Sequence, residues 1–457
     1  MGILDIPDRI AAVCRKLRGA GHAALVVGGS VRDLLMGRSA GEFDLATSAS
    51  PDEVCRVFPR TVKTGIKHGT VTVLIGRDGA GDWEGVEVTT FRGEGAYSDG
   101  RRPDEVVFVR TIEEDLARRD FTVNAIAYDP VDDRLVDPHG GRDDLARRLL
   151  RAVGDPRARF SEDGLRAMRA VRFAAVLGFA IEPETLAAIP RALHVFRKVS
   201  SERVRDELIK MLAADRPSIG VERMRETGLL AEVIPELCEG VGLRQNRFHA
   251  YDVYQHSLAC MDATRGDPIL RLAALLHDVG KPRAAQPRTE DPSEMTFYRH
   301  EVGGAEMADA ISRRLKLSNQ ERERCVALVR HHMFWYTEDW SAPTVRRFIR
   351  RVGKERLEDL FALRGGDVVA RGRGEDPRVE IAALRQRIDE ALVAEAALKI
   401  TDLAIGGQDV ARALDVPPGP IIGKVLRALL ERVTDDPSLN TKERLEALVP
   451  EVARNDR

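Results

Sequence analysis

Glu42 and Asp44 stand two residues apart in GEFDLATSA, a few residues after the run Gly28-Gly29-Ser30-Val31-Arg32-Asp33. In an extended segment residues i and i+2 point to the same face, so the two carboxylates stand together. Two adjacent acids are costly unless a proton or a cation lies between them. Mg2+ is hard, prefers oxygen ligands, and bridges carboxylates to phosphates. Glu87, within VEVTTF, offers a third acid, with Val86 and Val88 turned to the core. The Gly28-Gly29-Ser30 turn ends an apolar strand and opens a helix, which aims backbone N–H groups at an anion with Arg32 nearby. Three acids beside a phosphate-cradling turn are the parts of a two-metal nucleotidyl-transfer site. By themselves these residues also allow a solvated strand edge and an ordinary structural turn.

The segment FSEDGLRAMRAVRF reads as one helix, with Ser161 as N-cap and Phe160 and Leu165 spaced as a hydrophobic staple. Glu162, Arg166, Arg169 and Phe173 recur at helical spacing, and Asp163 and Arg166, three apart, are placed to lie side by side. A carboxylate only accepts hydrogen bonds and a guanidinium only donates them. An Asp–Arg pair therefore matches the amino donor and ring-nitrogen acceptor of cytosine or adenine, and mismatches uracil and guanine. A solvated arginine-rich face is the plainer alternative.

His256, His277-Asp278, His300, His331-His332 and Asp367 form a further constellation, although the chain has only 10 histidines. Neutral imidazole with carboxylate suits a divalent transition metal.

The elements that position these residues follow from periodicity. IPDRIAAVCRKLRGAG reads as an amphipathic helix, HAALVVGG as a buried strand, and GTVTVLIG, WEGVEVTTF, DEVVFV and AIAYD as further strands, with TIEEDLARR as a helix. After Arg151 strand signals nearly vanish. The expected fold is α+β: a small mixed-sheet head over 1–150, then helices in three parts, 151–245, 246–375 and 376–457. The last part contains a helix–turn–helix, LKITDLAIGGQDVARALDVPPGPIIGKVLRALLERV, whose Gly-Pro turn would offer free N–H groups to a backbone phosphate.

The chain has 457 residues, with 71 Lys and Arg against 73 Asp and Glu. A net charge near −2 excludes binding to nucleic acid by bulk charge, while leaving local basic faces such as SRRLKL and RRFIRR. Cys14, Cys55, Cys238, Cys260 and Cys325 show no C-x-x-C spacing, which suggests a reduced, cytoplasmic setting. No apolar run approaches the ~20 residues of a membrane span, and MGILDIPDRI does not read as a signal peptide.

Taken in order, GGSVRD, EFDLATSA, KHGTVTV, EVTTFR and DLARRDFTVNA resemble the class II tRNA nucleotidyltransferase and bacterial poly(A) polymerase family over roughly residues 20–240. Many members carry Asp where this chain has Glu42. The resemblance implies Mg2+ at Glu42 and Asp44, with Glu87 as a further catalytic acid. It implies nucleotide contacts at Gly28, Gly29, Ser30, Arg32, Asp33, Arg119, Asp120 and Asn124, and base reading by Asp163 and Arg166 beside Arg169 and Arg172. The middle segment resembles the HD superfamily of metal-dependent phosphohydrolases. That likeness implies His256, His277, Asp278 and Asp367 as core ligands, with His300, His331 and His332 available for a second metal or for phosphate. The expected activity is addition of C, C and A to tRNA 3′ ends from CTP and ATP. An A-adding enzyme or a poly(A) polymerase is the near alternative, although KTGIKHGTVTV reads as in tRNA-type members and the loop GEGAYSDGRRPDE argues against a CC-only adder. An HD phosphohydrolase with a nucleotide-binding head and a non-catalytic RNA-binding protein are alternatives of other classes.

Overall fold

The computed structural model describes residues 3–77, 83–93, 107–245, 249–289, 291, 294–374, 376–397 and 400–455. The chain divides into two compact units, Met1–Glu239 with Ile311–Leu317, and Gly240–Ala310 with Ser318–Arg457. Neither 150 nor 375 is a boundary between them. The loop GEGAYSDGRRPDE after Gly93 and the first half of DEVVFV lie outside the described residues.

The first unit opens with helix α1 (Asp8–Gly19), strand β1 (Ala24–Val27), α2 (Gly29–Leu35), β2 (Asp44–Thr47) and α3 (Pro51–Val57). There follow β3 (Thr61–Gly65), β4 (Thr70–Arg77), β5 (Trp83–Thr90), α4 (Ile112–Ala117), β6 (Ala127–Asp129) and β7 (Arg134–Val136). The strands form one sheet in the order β3-β4-β5-β2-β1-β6-β7. The β2–β5 pairing is parallel and the others antiparallel, which makes the sheet mixed as expected. β1 is apolar and buried along its whole length because both faces of the sheet are covered. On one face Leu17, Val26, Leu45 and Val88 share a core, and on the other Leu25, Val27, Phe91 and Leu116 share a second. Capping boxes at Ser50 and Thr111 fix the starts of α3 and α4.

The expected single helix over Phe160–Phe173 is instead two. α5 (Gly141–Arg147) is followed by α6 (Pro156–Glu162) and α7 (Leu165–Leu177). Asp155, not Ser161, caps α6, and Ser161 lies inside it with its hydroxyl on the Ala158 carbonyl. Asp163 terminates α6, and its carboxylate accepts from the Leu165 N–H at 3.0 Å, which starts α7. Gly164 sits in the break, where a Cβ would meet the Phe196 backbone at 2.6 Å. The close approach of that backbone requires glycine there. Beyond α7, the helix Ser201–Leu212 carries Arg203 and Glu207 against it. Among the described residues after 151, the strands are Ala180–Ile181, which pairs with Leu149–Leu150, and Gln286–Pro287, which pairs with Met295–Thr296; the named elements are otherwise helices.

In the second unit the helices Val253–Ala263, Pro268–Leu276, Asn319–His331 and Leu357–Ala370 pack together. Toward the C-terminus, Gly407–Leu414, Pro420–Asp435 and Lys442–Asn455 surround a core of Val410, Val425, Leu429 and Val449. The helix, Gly-Pro turn and helix expected there are present.

Candidate active site and histidine–aspartate centre

β1 ends at Val27, and the chain turns at Gly28 before α2 begins at Gly29. Gly28 has φ +79°, a left-handed conformation suited to glycine, and a Cβ there would stand 3.1 Å from Arg119 Nη1 and 3.9 Å from Asp44 Oδ2. The missing side chain thus lets a cation and an anion approach the same turn. Asp44 begins β2 level with Glu87 on the parallel strand β5, so the two acids share one face, while Val86 and Val88 are buried on the other. Gly28, Glu42, Asp44 and Glu87 all line one cleft of about 770 Å3. The three acids do not close to within 4.8 Å of one another. Desolvation pushes the Asp44 carboxyl above its ordinary value; Arg119 opposes that and Glu42 adds to it. An oxygen-only donor set with excess negative charge on one wall of a cleft fits a hard divalent cation.

The opposite wall is arginine-rich. Arg32 donates from Nη1 to Asn124 Oδ1 at 2.8 Å and pairs with Asp33 at 2.9 Å. The Asn124 amide donates to Asp120 Oδ1 at 3.1 Å, and Arg169 Nε donates to Asp120 Oδ2 at 2.7 Å. Burial alone would raise the Asp120 carboxyl, but Arg169 and Asn124 more than offset it and hold it down at about 2. Glu207 continues the chain, bonding to both Arg169 and Arg172. Arg32, Arg169 and Arg172 all stand over the Phe173 ring, at 5.3, 5.3 and 3.8 Å from its centroid.

Some expected nucleotide contacts are placed differently. Ser30 is buried and its hydroxyl donates to the Val27 carbonyl at 3.2 Å, so it supports the turn and does not line the cleft. Asp33 does not line it either; it braces Arg32, which does. Asp163 and Arg166 both line the cleft, but they meet through the Arg166 backbone N–H and the Asp163 carbonyl at 3.0 Å and their side chains take other partners. Asp163 Oδ2 accepts from Arg203 at 2.7 Å, while Arg166 donates to Glu162, to the Arg159 carbonyl at 2.9 Å and to the Arg118 carbonyl at 3.0 Å. The helix break at Gly164 removes the spacing on which a side-by-side pair depended. Arg203 and Glu207 were missed because their partners are 40 and 35 to 38 residues away in sequence, whereas Asp115 stands three and four residues before its partners Arg118 and Arg119, a helical spacing the sequence did offer.

Residues 24–151 match the poly A polymerase head domain, 178–240 the "Probable RNA and SrmB- binding site of polymerase A", and 297–449 the tRNA nucleotidyltransferase domain 2. A CCA-adding enzyme from Levilactobacillus brevis is 49% identical over 217 residues, 48% of this chain and 53% of that protein. One from Lactobacillus johnsonii is 48% identical over 236 residues, 51% of this chain and 58% of that protein. The matched part thus spans a little over half the length of these curated relatives. The Bacillus stearothermophilus CCA-adding enzyme, solved in complex with CTP, is 31% identical with a TM-score of 0.68 over 98% of both chains. The chain belongs to the CCA-adding enzyme family. The Thermotoga maritima CCA-adding enzyme complexed with tRNA shares the fold at 19% identity and a TM-score of 0.53. Membership of the nucleotidyltransferase family implies use of a divalent metal, generally Mg2+, and the donor set of the head cleft fits that implication.

The second unit of this CCA-adding enzyme family member holds the histidines. His277 caps the helix Pro268–Leu276, with Asp278 next to it. His256 Nε2 is 3.1 Å from Asp367 Oδ1 and 3.2 Å from His277 Nε2; His300 Nε2 is 3.1 Å from Asp278 Oδ1 and 3.3 Å from His332 Nε2. Two groups result, His256–His277–Asp367 and Asp278–His300–His332, each with its ligand atoms within 4.8 Å. Asp278 turns Oδ2 to the first group, 3.2 Å from His277, and Oδ1 to the second.

The Nδ1 atoms of His256, His277, His300 and His332 face the carbonyls of Ala370, Ala274, Phe297 and Val329 at 2.7–3.1 Å. Nδ1 is therefore assigned the proton, and each Nε2 lone pair points inward. Lys281 Nζ meets Asp278 Oδ2 at 2.6 Å and Arg364 Nη1 meets Asp367 Oδ2 at 2.8 Å, so each carboxylate is braced by a cation while the four Nε2 lone pairs converge on Asp278 and Asp367. His331, expected beside His332, points elsewhere: it is half-buried, and burial together with Arg351, Arg330 and Arg356 depresses its pKa. Adjacent residues on a helix face different ways.

Proposed function

We propose that the chain adds C, C and A to the 3′ end of tRNA, using CTP and ATP and releasing pyrophosphate. The carrying observation is the single cleft that holds Glu42, Asp44 and Glu87 on one wall and Asp163, Arg166 and Arg169 on the other. The primer's 3′ oxygen attacks the α-phosphorus, the bond from that phosphorus to the β-bridging oxygen breaks, and pyrophosphate leaves with the released charge. Bound Mg2+ would supply the Lewis acidity that favours the ionised 3′-hydroxyl and screens the pyrophosphate. Glu42 and Asp44, with Glu87, would hold it. Arg32 and Arg119 lie beside the glycine turn, placed for the triphosphate, with Asn124 accepting from both and Asp120 in turn holding Asn124 and Arg169. Each Asp163 oxygen spends one lone pair on the protein, on Leu165 and Arg203, and keeps another for the amino group of C or A. Arg166, braced by Glu162, would donate to the adjacent ring nitrogen, and the chain itself serves as the template. RNA would be held by shape and phosphates, in the cytoplasm; no helix among the described residues is long and apolar enough to cross a membrane. The test is Mg2+-dependent incorporation of labelled CTP and ATP into tRNA lacking its end. Incorporation of A alone, or growth of an A homopolymer, would instead give the A-adding or poly(A) reading.

A second activity is supported by the inward-facing Nε2 set. His256, His277 and Asp367 would hold one transition metal and His300 and His332 another, with Asp278 between them. Such a centre, as in the HD phosphohydrolases it resembles, would cleave phosphomonoesters or cyclic phosphodiesters. Metal analysis of the purified chain, with a phosphatase screen, tests it.

A further inference from the structure

Asp115, on α4, is buried at 1% exposure within the head cleft and collects three arginines. Its Oδ1 accepts from the Arg92 backbone N–H at 3.0 Å and from Arg118 Nε at 3.3 Å, and its Oδ2 accepts from Arg119 Nη2 at 3.3 Å. The other end of the Arg119 guanidinium, Nη1, donates to the Asn124 carbonyl at 3.3 Å. Arg119 is thus tied at both Nη atoms and laid across the Gly28 turn, while its buried Nε has no acceptor. On the same turn, the site where a Gly28 Cβ would be stands 3.1 Å from Arg119 Nη1 and 3.9 Å from Asp44 Oδ2. Arg119 and Asp44 nonetheless form no ion pair. A guanidinium that shares a turn with a carboxylate and feels its charge is drawn toward it unless something holds it back, because a charge-assisted hydrogen bond is among the strongest side-chain contacts. Such a pair would occupy the oxygen that a cation needs.

We propose that Asp115 is a positioning residue that holds Arg119 off Asp44, leaving the Asp44 carboxylate free for a divalent cation and the second N–H of each Arg119 Nη for the triphosphate. This rests on reading Asp44 as a metal acid. Removing the Asp115 charge releases Arg119 toward Asp44, and the arginine then competes with the metal. A residue that merely supported the fold would weaken metal binding whether or not Arg119 were present.

Mn2+ binding to the full chain without nucleotide, followed by electron paramagnetic resonance, tests this; the head site is the share of binding lost in Asp44→Ala. In Asp115→Asn the Kd of the head site should rise about five- to twentyfold, as for directly coupled neighbours. In Asp115→Asn combined with Arg119→Ala it should return to the value of Arg119→Ala alone. Arg119→Ala by itself should bind Mn2+ at least as tightly as the natural chain, which stays decisive if Asp115→Asn does not fold. An unchanged Kd in Asp115→Asn, an equal loss with Arg119 absent, or weaker binding in Arg119→Ala each overturns the proposal. If Asp44→Ala loses no Mn2+, the metal reading itself fails and this inference falls with it, a result distinct from the other three.

Discussion

Arg203 Nη2 donates to Asp163 Oδ2 at 2.7 Å, so the acid proposed to read the incoming base is held from the helix Ser201–Leu212 and not from its own helix. Asp163→Ala should lower discrimination against UTP and GTP by about 2–4 kcal/mol, or 30- to 1000-fold, through the lost acceptor and the lost mismatch penalty. Arg203→Ala leaves the carboxylate present but unbraced, and should cost a smaller part of the same selectivity. Single-nucleotide incorporation with each of the four triphosphates measures both. Wild-type selectivity in Asp163→Ala would place base selection elsewhere.

Asp44→Ala removes a metal acid and should abolish C and A addition alike, while tRNA affinity in a filter-binding assay stays within about threefold, since phosphate contacts carry most of it. Substantial transfer at saturating Mg2+ would remove Asp44 from the chemistry.

His277→Ala deletes one inward lone pair of the second-unit centre. Metal content by mass spectrometry and any phosphatase activity should fall about tenfold or more. CTP incorporation at the head should persist. A natural chain that is metal-free and inactive in the screen would make this centre structural.

Gly164→Ala should destabilise the first unit by about 2–4 kcal/mol, because the added methyl meets the Phe196 backbone, which cannot yield as a side-chain tip would. Urea unfolding gives the value. A cost below about 0.5 kcal/mol would show that the break between α6 and α7 is free to open.

Asp120 is held at about 2 against an ordinary 3.8, so its charged form favours the folded chain. That contribution, on the order of 2 kcal/mol, is present above pH 4 and is lost as the pH falls toward 2. The stability gap between the natural chain and Asp120→Asn should therefore shrink over that window. A gap independent of pH would mean that Asp120 gains nothing from Arg169.

The mixed sheet, the helical character after Arg151, the alternation that turns Glu87 away from the buried Val86 and Val88, and the grouping of His256, His277, His300 and His332 with aspartates were legible in the sequence. They depend on residue type and on periods of two or 3.6, which are local properties of the backbone. The level pairing of Asp44 with Glu87, the Asp163–Arg203 and Arg169–Glu207 ion pairs, and the choice of His332 over His331 were decided only by tertiary structure. Each joins segments far apart in the chain, or depends on a helix break set by the Phe196 backbone against Gly164. Spacing along a chain fixes which side chains share a face; which faces meet is set by packing between elements.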